Sequence, residues 1–158
     1  MKTICTTLVL LFGTVTISFA QKGYDDIVKQ FASKPQAEHV QVSSFALKLA
    51  RVFVPREEAE FMKGIQSVNV LSLDECDHEV KEAFRKEALT LSENGLELLA
   101  EVTDNQDHVR IFADIHNNKI RNFILVSVGE DPCLIQIKGF IDLAYMDKLV
   151  SDNTKNLK

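Results

Sequence analysis

The chain has 158 residues, 46% of them apolar and 26% charged, with a formal net charge of −5. That length and balance fit one globular domain of ordinary size and exclude a disordered or fibrous chain. The negative charge gives no general attraction for nucleic acid backbones or anionic lipid, and "KLARVFVPR" and "RNFILVSV" carry only scattered single cations.

The opening segment "MKTICTTLVLLFGTVTISFA" has one cation, Lys2, an apolar run from Leu8 to Phe19, small residues toward Ala20 and no acid. This pattern predicts a secretory signal peptide over residues 1–20, cleaved after Ala20. The apolar run is shorter than the roughly 20 residues of a spanning helix. A periplasmic or secreted protein is expected, with no membrane insertion after cleavage. Cys5 precedes the apolar run, so it is not placed to carry a lipid. Cys76 and Cys133 remain, and in an oxidising compartment they either pair as a disulfide or stay as two buried thiols.

"YDDIVKQFASKP" sets Tyr24, Ile27, Val28 and Phe31 at helical spacing, with Asp25 and Asp26 in the first turn and Pro35 at the end. "HVQVSSF" alternates and reads as a strand. "ALKLARVFVP" reads as a helical turn or two. "REEAEFMKGI" reads as a helix with Ala59, Phe61 and Met62 inward and Gly64 at its stop. "QSVNVLSL" alternates again. Val80, Phe84, Ala88 and Leu91 then form one helical stripe, with Asp74 or Asp77 as its cap and Asn94-Gly95 as its stop.

Beyond Gly95 the period changes to two. "LELLAEVTD", "HVRIFADIH", "KIRNFILVSVG" and "CLIQIKGFID" read as four strands joined by "DNQD", "HNNK" and "GEDP" turns. Gly139 is expected to mark a bulge or a close backbone approach. "LAYMDKLV" returns to helical spacing, with Asp142 placed as its cap. The expected architecture is α+β: an antiparallel sheet ending in a four-strand meander, packed by about five helices. One domain over residues 22–152 and a frayed tail over 153–158 complete the organisation.

Motifs for chemistry are sparse. His39, His78, His108 and His116 show no metal-ligand spacing. Glycine-rich phosphate loops and a Gly-x-Ser-x-Gly elbow are missing from the sequence. Glu130 and Asp131 oppose a thiolate at Cys133. The acid pairs Asp25-Asp26 and Glu57-Glu58 and the Asp74–Glu79 cluster lie at helix starts, where capping accounts for them. No cofactor, no metal and no catalytic residue are expected. The late strands do carry apolar residues opposite their main stripes: Leu99, Phe112, Phe123, Leu125, Leu134 and Phe140. Either helices cover both sheet faces, which is the simpler reading, or these six residues form an apolar interaction face.

The segments "VQVSSFALKLA", "EVKEAFRKEALTL" and, most sharply, "LIQIKGFIDLAYMDKL" make the chain resemble the exported domain-of-unknown-function family 4252, common in Bacteroidota. Many members of that family look like lipoproteins, a feature this chain lacks. The family's frequent encoding beside extracytoplasmic-function sigma factors implies an envelope-signalling role by association. The resemblance brings no catalytic residues. The leading expectation is a non-enzymatic protein-interaction module that binds another envelope protein. The alternatives are a small ligand-binding protein or hydrolase with a pocket between helices and sheet, and an accessory to a sigma-factor system.

Overall fold

A computed structural model describes residues 22–92, 95–105 and 107–144, with the backbone alone for Glu57, Glu58 and Phe61. The expected leader over 1–20, the tail over 153–158 and all but the start of the expected last helix lie outside the described residues. The chain order is α1 (Tyr24–Phe31), β1 (Glu38–Val42), α2 (Ser44–Ala50), α3 (Arg56–Lys63), β2 (Ile65–Ser72), α4 (His78–Leu89), β3 (Glu97–Asp104), β4 (Asp107–His116), β5 (Lys119–Val128) and β6 (Cys133–Asp142). The fold is α+β. Four helices, rather than about five, stand among the described residues.

All six strands form one antiparallel sheet in the order β1-β2-β6-β5-β4-β3. The four late strands are therefore not a unit of their own: β2 pairs with β6 from Ile65–Gly139 to Ser72–Cys133 and joins the early β1–β2 pair to them. Local chemistry fixes the ends of these elements. Asp26 Oδ2 accepts from the Gly23 N–H at 3.4 Å at the start of α1. Ser43 Oγ accepts from the Ala46 N–H at the start of α2. Asn117 and Asn118 both take positive φ in the two-residue turn between β4 and β5, which suits the twist of a tight hairpin.

Helices cover both faces of the sheet. On the first face, Tyr24, Ile27 and Phe31 of α1 and Phe84 and Ala88 of α4 pack with Leu71, Phe112, Ile124, Val126, Val128 and Leu134. Phe31 and Phe84 meet edge to face, with ring centroids 5.4 Å apart. On the second face, Leu47 of α2 clusters with Ile65, Ala113, Ile120 and Ile141, and Met62 of α3 packs against them. This second cover is shorter. Val70, Ile111, Leu125 and Ile135, which lie in one lateral row, stay half-buried, and Val40 at the edge is exposed.

Pairing loses register at one end of the sheet. From the Ala113–Phe123–Ile137 row to the Ile115–Ile120–Ile141 row, β4 advances two residues, β5 three and β6 four. β2 carries a further extra residue, Gln66, against β6. These are β-bulges aligned side by side in neighbouring strands. Their pivot is a backbone crossing in which the Phe140 N–H donates to the Gly64 carbonyl at 2.7 Å. A Cβ on Gly139 would overlap that carbonyl oxygen and come within 3.0 Å of Ile65 Cα. The close approach expected at Gly139 is thus present, and it is backbone against backbone.

This crossing predicts a contrast between two alanine substitutions. Gly139→Ala forces main chain apart and should lower unfolding stability by about 2 kcal/mol or more. Gly95→Ala meets no atom within 4 Å but sits at φ +85°, so its cost should stay near 1 kcal/mol. Urea unfolding of both variants checks the difference; equal losses would contradict it.

Candidate functional site

The bulges re-aim side chains, and the corner they create is polar. The first face is apolar as far as Phe112 and Ile124, then reaches a buried amide pair. Asn69 Nδ2 donates to Gln136 Oε1 at 3.5 Å, and Asn69 Oδ1 has no hydrogen-bond partner among the described residues. The next row is Asp114, Asn122 and Lys138. Beyond it lie the bulge residues Gln66 and Arg121, with Phe140 beside them.

Two adjoining open depressions occupy this corner. One, of about 340 Å³, is lined by His116, Asn117, Lys119, Arg121 and Phe140. The other, of about 250 Å³, is lined by Gln66, Asp114, Arg121, Asn122, Lys138, Gly139 and Phe140. Arg121 and Phe140 belong to both. Phe140 is 53% exposed, and Lys119, Arg121 and Lys138 are exposed around it. None of these three cations has a carboxylate within ion-pair distance among the described residues; the pairs formed there are Lys22–Glu87, Lys63–Glu60 and those of Glu101 with His108 and Arg110. The arrangement offers positive charge around an apolar ring, which suits an anionic group carried on an apolar or planar body.

A larger depression, of about 500 Å³, lies where α4 meets the β5–β6 turn, lined by Cys76, His78, Lys81, Glu82, Arg85, Gly129 and Glu130. Its chemistry is less promising. Cys76 Sγ donates to the Pro35 carbonyl at 3.4 Å. Burial pushes its thiol up; Lys81 opposes this and Asp77 adds to it. Lys81 donates to the Glu130 carbonyl at 2.8 Å. Nearby, Asp131 is raised above the ordinary carboxyl range, first by its hydrogen bond with Asp74 and next by the charge of Asp74. A neutral thiol held by a carbonyl is not an activated nucleophile. No group of three or more His, Cys, Asp or Glu side chains suited to a metal occurs among the described residues.

The structure corrects two readings of the sequence. Cys76 and Cys133 are free thiols. Cys76 packs in the core of the first face, whereas Cys133 precedes Leu134 of that core in β6 and so points to the second. The six apolar residues also do not share a face. Phe112 and Leu134 are buried in the first core, Phe123 and Leu125 are half-buried on the second face, and Phe140 stands at the corner. Leu99, 47% exposed, sits at a register break in the edge strand β3. Sequence reading missed Gln66, Lys119, Arg121 and Lys138. A usable signal was the three-residue step from Ile120 to Phe123, both on the second face, because odd spacing on one face of a strand requires a bulge.

What emerges is a single-sheet α+β protein with one bulged, cationic corner and no helix among the described residues long and apolar enough to cross a membrane. The chain belongs to the family described as Domain of unknown function (DUF4252), whose model matches residues 31–149. No curated protein and no solved structure matches it.

The thiol placement has a direct consequence. Burial is the first cause raising both Cys76 and Cys133, and Asp131 adds to it at Cys133. Both should react with a disulfide reagent at neutral pH about tenfold or more slowly than free cysteine. Both should become fast in urea without any reductant. A need for reductant would restore the disulfide.

Proposed function

We propose that this chain is an exported, non-enzymatic binding module of a bacterial cell envelope, of the Bacteroidota type its resemblance implies, and that its bulged corner receives an acidic segment of another envelope protein. One observation carries the reading: Lys119, Arg121 and Lys138, none ion-paired among the described residues, surround the exposed ring of Phe140. An acidic segment with an apolar residue complements both features, and the shallow, open shape suits a chain segment better than an engulfed small molecule. The hydrolase alternative would have to use the Cys76 depression, where the thiol is held neutral. The sigma-factor role rests on the family resemblance and adds no residue to the site.

The corner is testable with a defined probe. A hexaglutamate peptide ending in phenylalanine should shift the amide resonances around Arg121, Lys138 and Phe140. The shifts should fade at 0.5 M salt, where screening is strong, and in an Arg121→Glu/Lys138→Glu variant. Absence of shifts, or shifts gathered elsewhere, would overturn the reading. Export has its own check: protein recovered from the periplasm of an expressing bacterium should begin at Gln21. Recovery from the cytoplasm starting at Met1 would count against export.

A further inference from the structure

On the sheet face opposite the bulged corner, α2 and the turn after it carry an apolar stripe that the fold leaves in water. Leu47 is buried on the second face, but Phe45 is 69% exposed, Leu49 54%, Val52 78% and Phe53 88%. The spacing from Phe45 to Leu49 and on to Val52 and Phe53 keeps these side chains on one side of a helix that tightens as it ends. The Val52 N–H donates to the Leu49 carbonyl and the Phe53 N–H to the Ala50 carbonyl. Val52 and Phe53 are thereby held at a projecting tip ahead of Pro55.

We propose that this stripe docks the protein on the surface of an anionic lipid bilayer, with Phe53 and Val52 entering the interface. Two observations favour a bilayer over a protein groove. The two most exposed side chains sit together at a tip, the shape that enters a deformable surface. The charges also complement lipid: Lys48 borders the stripe on α2, Arg51 and Arg56 stand on either side of the Val52-Phe53 tip in the chain, and no acid occurs from Ser43 to Arg56. Apolar tips flanked by Lys and Arg bind by apolar burial plus attraction to anionic headgroups. The net charge of −5 does not prevent this, because at 0.1 M salt charges act over only about 10 Å.

The chain contains no tryptophan, so Phe53→Trp supplies a single reporter at the tip. The experiment uses the chain from Gln21 onward, which retains every described element and omits the apolar leader. In buffer, the reporter should show the emission of a water-exposed indole. Vesicles of phosphatidylcholine with about a quarter phosphatidylglycerol should shift it to the blue, and brominated lipid should quench it. Binding to phosphatidylcholine alone should be about tenfold weaker or less. Adding Val52→Asp should weaken binding about tenfold or more while circular dichroism stays unchanged. Emission already blue in buffer would mean that the chain's own C-terminal segment or a second copy covers the stripe, and would overturn the proposal. Equal response to both vesicle types, no response to either, or indifference to Val52→Asp would overturn it as well.

Discussion

The rest of the molecule depends on the backbone crossing at Gly64 and Gly139. Two strands can pass this closely only where neither carries a Cβ, and the Phe140 N–H to Gly64 carbonyl bond locks the contact. The crossing seats β2 against β6, so the early β1–β2 pair and the late strands become one sheet rather than two. It also absorbs the extra residues of the bulged strands. Without those extra residues, Arg121 would alternate onto the second face with Phe123, and the corner it shares with Phe140 would not form.

Much of this architecture was readable because it is local. The helical stripe Val80–Phe84–Ala88–Leu91 and the paired asparagines of the tight turn act within a few residues of themselves, whereas Ser43, read as part of a strand, caps α2. What failed was the matching of faces between strands. The Asn117-Asn118 turn pairs His116 with Lys119, and an unbroken hairpin would place Phe112 opposite Phe123. The extra residue at Arg121 shifts the pairing, so Phe112 faces Ile124 and Ala113 faces Phe123. A one-residue shift turns every later side chain to the other face. The supposed single apolar face was therefore two half-faces, one of them the main core.

The same shift explains why a polar floor lies beside the core. Gln136 shares its face with Leu134 and is almost completely buried, although alternation alone reads it as the wet side of a strand. Its amide is matched by Asn69 across the β2–β6 pair. A hydrogen-bonded amide pair in an otherwise apolar layer is costly to misalign, so it resists register slips between these strands. It also marks where cover by α1 and α4 ends and the cationic corner begins. The corner residues were hard to find in sequence because Lys119, Arg121 and Lys138 lie on two different strands. Only the sheet gathers them.

Net charge proved a poor guide to local surface. The acids concentrate at helix starts and along the edge strand β3, whose Glu97, Glu101 and Asp104 discourage edge pairing. Two groups of cations stand apart from these acids: Lys119, Arg121 and Lys138 around Phe140 on the first face, and Lys48 and Arg51 in and just after α2 over the second. These lie on opposite sides of one rigid sheet. If α2 rests on a bilayer, the bulged corner points away from it, open to an acidic partner from the aqueous side. The two proposed surfaces can then be occupied together without competing. Because the sheet between them is continuous from β1 to β3, no hinge is needed to make them compatible.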